Sequence, residues 1–130
     1  MKFKITLLFF VFINNLFATE VIWKAGKQFV SLYEDKETNL LYSSACYKSK
    51  CDALTLTKNL SWNKMSEDSI LGGKNPGAVL CKEVLKQNIV YMKDLHGNEN
   101  TFCLFKDKSF ISSSSLSLIA TKNEKKAGKK

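Results

Sequence analysis

Asn75-Pro76-Gly77-Ala78-Val79-Leu80-Cys81 is the stretch on which the fold turns. Gly72-Gly73-Lys74 breaks the chain just before it. Asn75 is a good helix N-cap, and Pro76 suits the first helical position, where its missing N–H costs nothing. The helix predicted from Pro76 places Ala78, Cys81, Val84 and Leu85 on one face and turns Lys82, Glu83 and Lys86 to water. Gln87-Asn88 should end it, with Asn88 able to take a left-handed cap conformation. Cys81 is thereby delivered to the core, and its natural partner is Cys103 in Thr101-Phe102-Cys103-Leu104-Phe105.

Working outward from the helix, Ile89 to Lys93, Asn100 to Lys106 and a segment from Ser109 onward read as three strands separated by polar turns. Short connections of this kind permit antiparallel pairing but no parallel crossover. Phe105 shares a face with Cys103, and Phe102 and Leu104 share the other. Ser112 to Ser115 is low in complexity, with Leu116 and Leu118 extending an edge strand. Upstream, Val21-Ile22-Trp23 and Gln28 to Tyr33 are strand-like, and Leu40 to Cys46 should return antiparallel to the latter. Asp52-Ala53-Leu54-Thr55-Leu56-Thr57-Lys58 has the cleanest alternation in the chain and reads as a further strand. Asn59 to Leu71 is a connection with a helical turn near Ser66 to Ile70, and Trp62 reads as a lid over the hairpins. The expected fold class is α+β: a small disulfide-stapled domain of N-terminal antiparallel β-hairpins (19–71), then one helix and a three-strand antiparallel meander (72–118), then a basic disordered tail (119–130).

Met1 to Ala18 has the form of a secretory signal, with a basic start at Lys2 and Lys4, an apolar run from Ile5 to Ile13, and Leu16-Phe17-Ala18 before the cleavage site. The run is too short to span a bilayer. The expected location is therefore periplasmic or secreted. An even set of four cysteines in such a chain implies a disulfide framework. Three pairings exist on paper. Cys46–Cys51 and Cys81–Cys103 each join elements that the local sequence already brings together, and in the chain-entropy view they contribute about 2 and about 3 kcal/mol. A redox pair is disfavoured, because four residues in a polar turn separate Cys46 from Cys51 where catalytic thiol pairs have two at a helix start. No metal is expected, since His96 is the single histidine and the cysteine spacings match no zinc module. No cofactor is expected either.

All twenty basic residues are lysines. The absence of arginine argues against a nucleic-acid reader, because bidentate recognition of phosphates and guanine edges favours arginine. Lysine, asparagine and isoleucine usage fits an AT-rich bacterial genome. Without the signal, 18 lysines face 12 acids, a net charge of +6. Lys122, Lys125, Lys126, Lys129 and Lys130 with Glu124 place +4 of this in the tail and leave about +2 on the body. The tail reads as a solvated end and, in its functional form, as an arm for an anionic surface, with weak membrane-surface contact.

Asn75-Pro76-Gly77-Ala78, Cys81, and Cys103-Leu104-Phe105-Lys106-Asp107-Lys108-Ser109 together resemble a family of small bacterial exported proteins labelled haemolysins, a domain of unknown function. Its members carry Asn-Pro-Ala at a helix start, Tyr-Cys within the helix, Gly-Gly at its end and a later Cys-x-Phe-x-Asp-Gly-Ser turn. The likeness covers residues 73 to 110. This chain has Gly77 for the alanine, Leu80 for the tyrosine, Lys86-Gln87-Asn88 for the Gly-Gly and Lys108 for the turn glycine. A tryptophan usual after the turn is replaced by serines. The resemblance implies fold and export and transfers no catalytic residue.

The residues point to no reaction. Asp94, His96 and Glu99 share one polar turn, where His96 reads as a solvent-exposed residue and not a general base. The expected function is a non-enzymatic exported module that binds a protein or an envelope component. The alternatives are an inhibitor of a cell-wall hydrolase or protease, and a membrane-active protein as the family label suggests. The long amphipathic segments or paired strands of a pore are not legible.

Overall fold

The computed structural model describes residues 18–128; the leader expected over Met1 to Ala18, apart from Ala18, and the tail residues Lys129 and Lys130 lie outside them. Six strands form the framework: β1 (Ala18–Ala25), β2 (Gln28–Asp35), β3 (Leu40–Ser43), β4 (Asn88–Asp94), β5 (Glu99–Leu104) and β6 (Phe110–Ser112). They close into a barrel in the order β1-β2-β3-β6-β5-β4, every neighbouring pair antiparallel.

A closed barrel with several helices replaces the expected N-terminal hairpins followed by one helix and a three-strand meander, and closure is the main departure. Trp23 pairs with Asp94 and Lys24 with Lys93 to join β1 to β4, while Tyr42 pairs with Ile111 to join β3 to β6. The two segments read as successive blocks, 19–71 and 72–118, thus contribute the two halves of one barrel. The physical reason is twofold. Each half alone would leave two open strand edges with unpaired backbone groups. Each half also has an apolar inner face: Val21, Trp23, Val30, Leu32 and Leu41 from the first pack against Val90, Met92, Phe102 and Phe110 from the second. Trp23 meets Phe102 edge to face at 5.2 Å between ring centroids.

A helical layer covers part of the barrel's outside. Short helices α1 (Ala45–Lys48) and α2 (Asp52–Thr55) follow β3, 3-10 turns occupy Trp62–Lys64 and Glu67–Ile70, and α3 (Pro76–Val79) runs on into a π turn at Leu80–Val84. A 15-residue helix, α4 (Ser113–Ala127), ends the described chain. Tyr42, Cys103, Phe105 and Ile111 point outward from the strands into this layer, where Leu60, Leu80, Cys81, Leu116 and Ala120 meet them. Cys81–Cys103 therefore staples the π turn to the outer face of β5, with Cα atoms 5.6 Å apart, and Cys46–Cys51 ties α1 to the start of α2 at 5.3 Å.

Two elements differ from their sequence reading. Residues 52 to 58 form α2 and a turn, not a strand. Both edges of β3 are already paired, so no edge is open to receive another strand. The Asp52 N–H donates to the Asp107 carboxylate at 2.7 Å and the Ala53 N–H to Ser109 Oγ at 3.0 Å, and these contacts cap the short helix instead. Residues 113 to 127 form α4, not an edge strand and a disordered tail. Ser112 is its N-cap, its Oγ accepting the Ser115 N–H at 3.1 Å, and Leu116 and Ala120 are fully buried one turn apart.

Candidate functional site

Asn75 performs the capping expected of it. Its Oδ1 accepts the N–H groups of Gly77 at 3.0 Å and Ala78 at 3.3 Å, with Pro76 at the first helical position. The left-handed residue after the π turn is Lys86, with φ +55°, and not Asn88, which begins β4. The role of Asn75, Pro76, Cys81 and Cys103 is thus to build and anchor the helical layer.

The lysines are brought together by that same layer. Leu40, Leu54, Thr57, Ile119 and Asn123 form a groove of ≈ 220 Å³ between α2 and α4, with Lys58, Lys122 and Lys126 on its walls. A second, wider groove of ≈ 610 Å³ runs along α1 and α2, lined by Tyr47, Ser49, Cys51 and Thr55 with Lys48, Lys50 and Lys58. Leu54 and Lys58 line both, so the two grooves adjoin. Five lysines and no acidic side chain line the pair, and every one of these lysines is exposed. The α4 helix explains the pairing of Lys122 with Lys126, because residues four apart share a helix face. Lys125 lies on the same helix and lines neither groove. The Cys46–Cys51 bridge holds the loop that carries Lys48 and Lys50.

Comparison with protein-family models, curated proteins and solved structures returned no match.

A cavity of opposite charge, ≈ 480 Å³ in volume, is lined by the apolar Val21, Ile22, Trp23, Leu41 and Leu95 together with Glu20, Glu34, Asp94 and His96. Its carboxylates are largely occupied. Glu20 accepts the Ser31 hydroxyl, Glu34 pairs with Lys36 at 2.7 Å, and Asp94 accepts the His96 and Asn98 N–H groups and the Asn98 side-chain amide, each at 2.9 Å. Those bonds, led by the Asn98 side chain, hold the Asp94 carboxyl below its usual range. His96 is exposed and supports its turn through its backbone N–H, not its ring. Among the described residues no cluster of three His, Cys, Asp or Glu side chains has the arrangement of a metal site, and no helix is long and apolar enough to cross a membrane.

Sequence reasoning singled out Lys122 and Lys126 and missed Lys48, Lys50 and Lys58. Those three are far from α4 in the chain, and only the helical layer sets them beside it. The signal that would have found α4 is Ser112 at the cap followed by Leu116, Ile119, Ala120 and Asn123 at helical spacing. The two disulfides point to an oxidising, non-cytoplasmic environment.

Proposed function

We propose that the chain is a non-enzymatic exported module, periplasmic or secreted, that docks on an anionic component of the cell envelope. The observation that carries this reading is the adjoining pair of grooves lined by five lysines and no acid. A body whose average charge is low can still bind anions when its charge is gathered on one face. Lysine suits such a role, because its hydrated ammonium acts as a point charge that tolerates varied anion geometry. The reading replaces a flexible arm with a surface built on the fold.

Binding of the oxidised protein to polyphosphate, at low and at high salt and against neutral dextran, tests it. The protein should bind polyphosphate, should lose affinity as salt rises, and should lose most of its binding when Lys48, Lys50, Lys58, Lys122 and Lys126 are all changed to Gln. Unchanged binding by that variant would refute the assignment of the surface.

The cavity lined by carboxylates and apolar side chains favours a second reading, inhibition of a cationic cell-wall hydrolase or protease that inserts a basic side chain there. Suppression of lysozyme activity by the wild type, lost on changing Glu34 to Gln, is its test. The likeness to the haemolysin-labelled family, carried by Asn75-Pro76, Cys81 and Cys103-Leu104-Phe105-Lys106-Asp107, stays a reading of the sequence. That likeness concerns fold, and it names no ligand.

A further inference from the structure

The wider groove contains one feature that a plain charge surface does not need. Tyr47, on α1, lies flat against Tyr33 of β2, ring centroids 4.2 Å apart and planes 13° apart, and Tyr33 continues the stack toward Tyr42 at 6.4 Å. One face of the Tyr47 ring is thus backed by a second ring, while the residue remains 50 % exposed and lines the groove beside Lys48, Lys50 and Lys58. The neighbouring Cys46–Cys51 bridge and the Ser49 Oγ–H bond to the Ala45 carbonyl, at 2.8 Å, hold α1, and the stack on Tyr33 orients the ring. Ser49 and Thr55 line the same groove.

A rigid aromatic face, flanked by ammonium groups and hydroxyls, matches the chemistry of a charged sugar. The C–H face of a pyranose is apolar and weakly positive and rests on the negative face of an aromatic ring; its hydroxyls bond to Ser and Thr, and an acidic substituent pairs with lysine. We infer that the anionic component is an acidic glycan whose sugar ring seats on Tyr47 with its carboxylate or other anionic group toward Lys48, Lys50 and Lys58. This rests on the docking reading above and gives it a ligand class. A single-stranded nucleic acid also stacks on aromatics, but such sites set several rings in succession along a basic track. This groove offers one open ring, and the chain has no arginine.

The test compares three probes on the oxidised protein: oligogalacturonate, inorganic polyphosphate and single-stranded oligothymidylate. The wild type should bind oligogalacturonate. Tyr47→Ala should weaken that binding by about tenfold while changing polyphosphate binding by less than about twofold, and Tyr47→Phe should restore it. Thermal melting of both variants separates loss of the platform from loss of the fold. Equal loss of both ligands in folded Tyr47→Ala, or tighter and Tyr47-dependent binding of oligothymidylate, overturns the glycan assignment. Binding of polyphosphate without oligogalacturonate also overturns it and leaves the docking surface standing; binding of no probe removes both.

Discussion

The backbone of Gly77 lies directly against the Ser113 carbonyl: a Cβ placed on Gly77 would stand 1.8 Å from Ser113 O and 2.5 Å from its carbonyl carbon. This contact joins the first turn of α3 to the first turn of α4, so the helix that carries Cys81 and the helix that carries Lys122 and Lys126 are set against each other through a residue with no side chain. Alanine does not fit beneath α4 in this arrangement.

Gly77→Ala should therefore destabilise the protein, although alanine is the better helix former by about 1 kcal/mol. The obstacle is backbone, which must shift as a unit, and overpacking of this kind costs about 1–3 kcal/mol. Thermal melting should show a drop of several degrees. An unchanged or raised melting temperature would show that α3 and α4 are not in this contact.

Lys108 offers the opposite case. It sits in the Asp107-Lys108-Ser109 turn with φ +69°, a conformation that costs a side-chain-bearing residue about 1–2 kcal/mol. Lys108→Gly removes that cost and adds some unfolded-state freedom, so a net gain of up to about 1 kcal/mol is expected. A rise in melting temperature checks it, and a clear fall would contradict the turn geometry.

Asp107 links that turn to α2. Burial pushes its carboxyl up, but hydrogen bonds from the Asp52 N–H and from the Ser109 hydroxyl and N–H outweigh it and hold the carboxyl below its ordinary value. A carboxyl depressed in the folded state adds stability above its unfolded pKa of about 4, and that stability is lost as pH falls through the folded value. Asp107→Asn should thus lower the melting temperature at neutral pH, with the gap to wild type closing in acid. A gap that stays constant down the whole carboxylate range would contradict the role.

The sequence carried the local elements well. β2, β4 and β5 lie where alternation and polar turns place them, the helix starts at the Asn75 cap, and the pairing of Cys81 with Cys103 joins the helix to β5. What it did not show is pairing at a distance. No local pattern tells Trp23 that Asp94 will be its neighbour, or Tyr42 that it will meet Ile111. The alternation of residues 52 to 58 misled for the same reason, since a strand needs an open edge and this barrel has none to offer. The serines at 112 to 115 hid a helix start because their work is polar: Ser112 caps α4, Ser115 Oγ accepts the Leu41 N–H at 2.8 Å, and the Ser113 hydroxyl meets Thr101 at 2.7 Å, with Ser112, Ser113 and Ser115 all fully buried. The candidate site was half legible, since a run of lysines can be counted but its companions Lys48, Lys50 and Lys58 come from another part of the chain.

Mapping of backbone amide shifts in the oxidised protein during titration with polyphosphate tests the docking surface most directly. Shifts should concentrate on residues 47 to 58 and 119 to 126 and should fade as salt is added. Shifts spread evenly over the exposed lysines, or centred on Lys74 and Lys82 beside α3 while residues 47 to 58 stay still, would contradict it.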